Sequence, residues 1–221
     1  MIVFGTAVSD PAVYEEAALP GIERAAEPDS AVLIRTGLPI RRAYDELMDE
    51  AAALDGLEAL VLPHQDLELT DDSLPARVRR LFADPRAGLL GSLGARNVTL
   101  HLWLASRELY GTVAATGVER RFSSGVQEVD GVDGALLVLA PWVVRALRFG
   151  EPPGVPFHGY DAEIGFRVRA HGGRVLCDDI PHFHHRVAKD DYGAQRRAGV
   201  ALARSWDPAL RPREWEPSFQ P

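Results

Sequence analysis

Over its first ninety residues the chain alternates short apolar runs with longer, mixed segments of helical period. Ile2 to Val8, Ala31 to Ile34, Leu60 to Leu62 and Ala87 to Leu90 read as strands. Ser9-Asp10-Pro11 supplies a capping side chain and a proline at the first helical position. The helix it starts is expected to reach about Ala26, to bury Val13, Ala17, Leu19 and Ile22, and to kink at Pro20. After a loop at Arg35-Thr36-Gly37, a second helix is expected over Ile40 to Leu54. One face carries Tyr44, Leu47, Met48 and Ala51; the other carries mainly Arg41, Arg42, Asp45, Glu46, Asp49 and Glu50. Thr70 or Asp71 caps a third helix, to about Ala83. Strands that alternate with helices predict an α/β fold: a mostly parallel central sheet flanked by helices in a single domain.

Leu60 to Leu69 is the centre of this pattern. Leu57, Leu60, Val61 and Leu62 suit a strand covered on both faces. Pro63 ends the ladder, because it has no N–H to donate. His64, Gln65 and Asp66 then follow the strand's carboxyl end, where ligands of open α/β sheets bind. An oxygen ligand there can hold a hard divalent cation. The same three residues can equally form a capped turn before the next element.

Farther along, Asn97 to Leu104 has the composition of a strand, and Glu108 to Gln127 is an irregular mixture of Gly, Ser, Arg and Thr. Ala135 to Leu139 is a buried strand introduced by Asp133-Gly134, and Pro141 opens a short helix to Leu147. Phe149 to Phe157, rich in Gly and Pro, is expected to be a loop, either a flap or a plain surface connection. A helix starting at His158-Gly159-Tyr160-Asp161 runs to about His171 and ends at Gly172-Gly173. Val175 to Cys177 reads as a strand, and Ile180 to His185 is extended because Pro181 disfavours helix. In that extended segment His182 and His184 share a face, and His185 points the other way. A last helix covers Tyr192 to Ala203; the proline-rich tail that follows, 206–221, holds no regular element.

Charge narrows the partners. A formal charge of −8 over 221 residues argues against nucleic acid, so an anionic ligand needs a cation or a local basic cluster. The one cysteine, Cys177, fits a reducing compartment. With no apolar run near the ~20 residues of a transmembrane span, and no basic-then-apolar opening, a cytoplasmic location is expected.

Four polar clusters interrupt this pattern: His64-Gln65-Asp66, Asp133-Gly134, Tyr160-Asp161-Ala162-Glu163, and His182, His184 and His185. Taken alone, each has an ordinary structural explanation as a turn, a helix start or a solvated strand end. In this order the chain resembles glycosyltransferases of the GT-A fold, in particular bacterial family-2-like enzymes carrying a His-Gln-Asp variant of the Asp-X-Asp motif. The resemblance covers roughly Ile40 to His185. It takes in Pro39 to Glu46, Leu60 to Leu69, Val132 to Ala135, Phe157 to Glu163 and Asp178 to His185.

The resemblance implies a nucleotide-sugar donor, a hydroxyl-bearing acceptor, and Mn²⁺ or Mg²⁺ as cofactor. It implies Asp66 and His184 as metal ligands, with His185 as the alternative, Asp161 as general base and Glu163 as a second acid beside it. His64, Gln65, Asp133, Gly134, His158 and Tyr160 are implied in donor or acceptor binding. Residues 1–95 would be the nucleotide-binding half and 96–205 the half that completes the acceptor and metal sites. His64 stands where the motif has its first Asp, and Thr6, Ser9, Asp10 and Arg35 are what the chain offers at the usual nucleotide positions. A scaffold without turnover, a metal-dependent nucleotidyltransferase or pyrophosphohydrolase, and a homodimeric assembly all stay open at this point.

Overall fold

The computed structural model describes residues 1–98, 106–150, 157–185 and 192–205. Strands β1 (Ile2–Val8), β2 (Ala31–Thr36) and β3 (Ala59–Pro63) alternate with helical segments. These are α1 (Pro11–Val13), a π-helical turn (Tyr14–Ala18), α2 (Leu19–Ala25) and α3 (Ile40–Ala52). There follow β4 (Leu67–Leu69), α4 (Leu74–Phe82), β5 (Ala87–Gly91), β6 (Leu93–Arg96), β7 (Glu108–Ala115) and β8 (Val118–Arg121). The remainder is β9 (Gln127–Val129), β10 (Gly131–Val132), β11 (Leu136–Leu139), α5 (Pro141–Ala146), α6 (Tyr160–Ala170), β12 (Arg174–Cys177), β13 (His182–His184) and α7 (Tyr192–Ser205).

The main sheet has the order β2-β1-β3-β11-β5-β12-β9. β1 pairs in parallel with β2 and β3, and β5 with β12. β11 enters between β3 and β5 antiparallel to both, and β9 is antiparallel to β12. A second sheet, β10-β6-β7-β13-β4 with β8 on β7, stands beside it.

All five residues of β3 are buried, because helices cover both faces of the sheet. Leu60 and Leu62 pack with Tyr44, Leu47 and Met48 of α3, while Val61 packs with Ile22 of α2 and Phe4 of β1. Asp10 caps α1 by accepting from the amides of Ala12 and Val13. Pro20 cannot donate a backbone hydrogen bond, and the turn before it widens, so that Leu19 N–H reaches the Tyr14 carbonyl. Gly172, at φ 77°, follows α6 as expected.

Four expectations need correction or limiting. Arg35 and Thr36 continue β2 instead of opening the loop. Arg41 lies in the core, not on the solvated face of α3, because it has a buried acidic partner described below. Glu108 to Arg121 is an antiparallel hairpin, β7–β8, and not irregular chain. Leu67 to Leu69 leaves the main sheet and pairs with β13. Most of the strand expected over 97–104 and of the loop expected over 149–157, and the tail 206–221, lie outside the described residues.

The antiparallel entry of β11 decides where the site forms. It sets Leu136 opposite Pro63, and the His64 amide donates to the Ala135 carbonyl at 2.9 Å. The Asp133-Gly134 turn therefore meets the carboxyl end of β3. β13 arrives beside the same edge by pairing His184 with Leu67.

Candidate metal and acid–base site

His64, Asp66 and His184 converge, each offering a ligand atom, with all three atoms within 4.8 Å of one another. His184 Nε2 lies 3.1 Å from Asp66 Oδ1, and the His64 and His184 ring centroids are 5.8 Å apart. Two donors on adjacent octahedral positions of a cation, at bonds of ~2.1 Å, stand about 3 Å apart. Two imidazoles and a carboxylate also match a borderline cation such as Mn²⁺ better than the all-oxygen set that Mg²⁺ prefers. The donor set thus fits a divalent ion and leaves coordination positions for ligand oxygens.

A second layer of contacts orients these ligands. His64 Nε2 is 2.6 Å from the Tyr160 hydroxyl, which itself lies 3.1 Å from the Gly134 carbonyl. A carbonyl only accepts, so the Tyr160 O–H points to Gly134 and His64 donates from Nε2. That leaves Nδ1 with the ring's lone pair. Burial, helped by the nearby His184 charge, pushes the His64 pKa down to about 4, so the ring stays neutral. For Asp66 burial opposes ionisation, but the hydrogen bond and charge of His184 outweigh it and lower the pKa. For His184 burial opposes protonation, but the Asp66 contact and the Asp133 charge raise its pKa.

The remaining expected residues separate by environment. The Asp161 carboxylate, 9% exposed, accepts from Gly134 N at 3.2 Å and Ala162 N at 2.9 Å. Asp133 is half-buried in the same turn. Burial, then the negative charge of Asp161, pushes its pKa up to about 6. Gly134 is confined by Tyr160, since a Cβ there would fall 2.3 Å from the tyrosine oxygen. Glu163 is 2% exposed and paired with Arg41 at 2.6 Å and Arg167 at 2.6 Å. Gln65 faces away from the triad: its carbonyl accepts from Ser9 N at 2.8 Å and Asp10 N at 3.0 Å, tying the end of β3 to the loop after β1. His185 Nε2 is 3.0 Å from Glu68, and the His158 carbonyl accepts from Arg41.

Two features escaped the sequence reading. His64 stands with the metal-type ligands and not only with ligand-binding groups: the chain turns here, Leu67 N–H donating to the His64 carbonyl at 3.1 Å, and the place of His64 as the first residue of the His-Gln-Asp motif was the available signal. Arg41 is the other. It reaches Glu163 on α6 and the carbonyls of Phe149 and His158, at 3.3 and 3.5 Å. Asp45, one turn on, accepts from the amides of Phe149 and Gly150 at 2.7 and 3.0 Å. Nothing local in Pro39-Ile40-Arg41-Arg42 announces a pairing over this sequence distance.

No family model matches the chain. It is 33% identical over 188 residues to the streptomycin biosynthesis protein StrF of Streptomyces griseus, a match covering 84% of this chain and 66% of StrF. Among solved structures it is similar to GalNAc-T7, determined with UDP, GalNAc and Mn²⁺. The TM-score is 0.59 at 10% identity, over 86% of this chain and 44% of that one. It is also similar to A197 from STIV, with a TM-score of 0.54 at 11% identity, over 84% and 86% of the two chains. The fold is the mixed α/β, GT-A type.

Proposed function

We propose that this chain is a glycosyltransferase, family-2-like, that uses a divalent cation, Mn²⁺ before Mg²⁺, to bind a nucleotide-sugar donor. The sugar is transferred with inversion to an acceptor hydroxyl. The observation that carries this reading is the convergence of His64, Asp66 and His184 at the carboxyl end of β3, beside the Asp133 and Asp161 carboxylates. GalNAc-T7, whose fold is similar, was determined with UDP, GalNAc and Mn²⁺, which supports the same ligand classes here.

Asp66, His184 and His64 would hold the cation, and the bound cation would neutralise the charge growing on the departing diphosphate. Tyr160 fixes the His64 ring through the 2.6 Å contact. Asp161 takes the acceptor's proton at a carboxylate oxygen, held by the Gly134 and Ala162 amides. Asp133, with a pKa near 6, is the neighbouring acid that contacts the acceptor or the donor sugar. Glu163 serves the site by anchoring the first turn of α6 to Arg41. Gln65 shapes the donor edge through Ser9 and Asp10, and His158 belongs to the approach to α6. Residues 1–95 then form the nucleotide half and 96–205 the half that supplies His184 and Asp161. Among the described residues no helix is long and apolar enough to cross a membrane.

Product analysis tests the reaction class. Incubation with a panel of nucleotide sugars and Mn²⁺ should release a nucleoside diphosphate from one of them. Release of a nucleoside monophosphate would instead identify a pyrophosphohydrolase. No product from any donor, with metal and nucleotide bound, would identify a scaffold.

A further inference from the structure

Arg41, Tyr44 and Asp45 stand at i, i+3 and i+4 on α3 and so share one face of it. All three hold the chain that runs from α5 into α6. The two carboxylate oxygens of Asp45 are divided: Oδ1 accepts from Phe149 N at 2.7 Å and Oδ2 from Gly150 N at 3.0 Å. Arg41 Nη1 donates to the Phe149 carbonyl at 3.3 Å, so Phe149 is held at its amide and at its carbonyl. Hydrogen bonds to ionised groups are roughly twice as strong as neutral ones. Asp45 is not one of the converging ligands, and its effect on them has to travel through packing.

The path is a cluster of aromatic rings. The Phe149 side chain is 1% exposed; its ring centroid lies 5.3 Å from that of Tyr44 and 6.1 Å from that of Tyr160. Tyr44 and Tyr160 meet edge to face at 5.7 Å. These are the separations of rings in contact. Tyr160 is itself buried, so its ring can move only if its neighbours move, and Phe149 is the one that Asp45 holds. The far end of Tyr160 is the hydroxyl that accepts from His64 Nε2 at 2.6 Å and donates to the Gly134 carbonyl at 3.1 Å.

We propose that Asp45 is a positioning residue for the cation site. By holding Phe149 it fixes Tyr160, and through Tyr160 it keeps the His64 proton on Nε2 and leaves Nδ1 free to ligate. The consequence for the cation rests on the metal reading of His64, Asp66 and His184; the hold on the His64 proton does not.

The test begins with NMR of the full ¹⁵N-labelled chain without metal. Ring nitrogen shifts should place the His64 proton on Nε2, and that N–H should give a signal protected from exchange with water. Tyr160→Phe should abolish the protection, and Asp45→Ala should also lose it. Calorimetry with Mn²⁺ should show binding weakened about ten-fold in Asp45→Ala, the lower end of what losing support behind a metal ligand costs. Asp45→Asn keeps one acceptor oxygen and turns an amino group toward the other amide. It should fall between the parent and Asp45→Ala, and it carries the test if the alanine variant does not fold. The control is Trp142→Phe, which removes the indole hydrogen bond to the Ala87 carbonyl at the start of β5, the end of the sheet away from the site. Its His64 signal and Mn²⁺ affinity should stay those of the parent. Asp45 variants that are less stable in urea yet keep the protected signal and the parent's Mn²⁺ affinity overturn the proposal, because Asp45 then serves the fold alone. A His64 proton found on Nδ1 in the parent, or equal losses in Trp142→Phe, overturns it as well. Loss of protection in Asp45→Ala together with no Mn²⁺ binding by the parent would remove the metal reading and leave the hold on His64 in place.

Discussion

Asp66 and His184 illustrate how one contact serves two states. Without metal the contact favours the charged form of both groups: although burial opposes it, His184 is raised above its usual pKa and Asp66 lowered. A cation needs His184 neutral, so protons compete with it from a higher pH than for an ordinary histidine. Mn²⁺ affinity, followed by calorimetry, should therefore fall as pH drops from 8 to 6, and His184→Ala should flatten that dependence while weakening binding. The linkage to stability has two signs. His64, depressed to about 4, contributes stability that is present above pH ~6.5 and is lost as pH falls toward 4, on the order of 3 kcal/mol. The raised His184 contributes stability that is present below its unfolded pKa and is lost as pH rises through its folded pKa. A second test at this scale concerns the base. Asp161→Asn keeps shape and removes the proton acceptor, so transfer should fall by ~10²–10⁴-fold with metal-dependent nucleotide binding retained. Transfer within a few-fold of the parent would move the role to Asp133. At this scale the sequence was partly legible. Strand alternation separates His184 from His185, and the structure sends one to Asp66 and the other to Glu68. It could not distinguish Gln65, which ties two loops, from a ligand-facing group, because a primary amide suits either place.

Among the elements, α6 depends most on distant residues. Its first turn holds Tyr160, Asp161 and Glu163, all buried, and it is tied to α3 through the Arg41–Glu163 pair. Losing one partner of a buried pair leaves the other charge uncompensated. Glu163→Gln should thus cost about 3 kcal/mol in urea unfolding, where Asp161→Asn costs about 1. Equal small losses for the two would mean that the Arg41 charge is satisfied elsewhere. The helix start was readable from its acidic first turn, but the partner was not, because amphipathic periodicity assigned Arg41 to solvent. The β7–β8 hairpin was missed for a related reason. Gly111 interrupts its pattern, at φ 85°, where a Cβ would fall 2.2 Å from the Ser92 carbonyl oxygen. A glycine required by such an approach looks in sequence like a loop residue. Gly21 is the same case in α2: a Cβ there would meet the Leu69 amide nitrogen of β4 at 2.3 Å. Gly21→Ala should lower the unfolding free energy by about 1–3 kcal/mol despite its better helix propensity. A gain in stability would mean that α2 and β4 can separate without loss.

For the whole molecule, the alternation of the first ninety residues leads directly to β2-β1-β3 and its helices, since local period and burial agree there. The second half is a matter of pairing at long range. β11 is readable as a strand, but its antiparallel insertion between β3 and β5 is not, and that insertion brings Asp133 and Gly134 to His64. The site is thus assembled from β3, the turn before β11, the start of α6 and β13, which sequence order scatters over more than a hundred residues. With a net charge of −8, a diphosphate will not be drawn here by the general field of the protein, so binding should depend on the cation. The most direct measurement is a calorimetric titration with UDP, GDP and dTDP, with Mn²⁺ and with EDTA, on the parent chain and on Asp66→Ala. At least one diphosphate should bind with Mn²⁺ and lose measurable affinity with EDTA or in the variant. Binding that is indifferent to both EDTA and Asp66→Ala, or no binding of any diphosphate with Mn²⁺ present, would contradict the account.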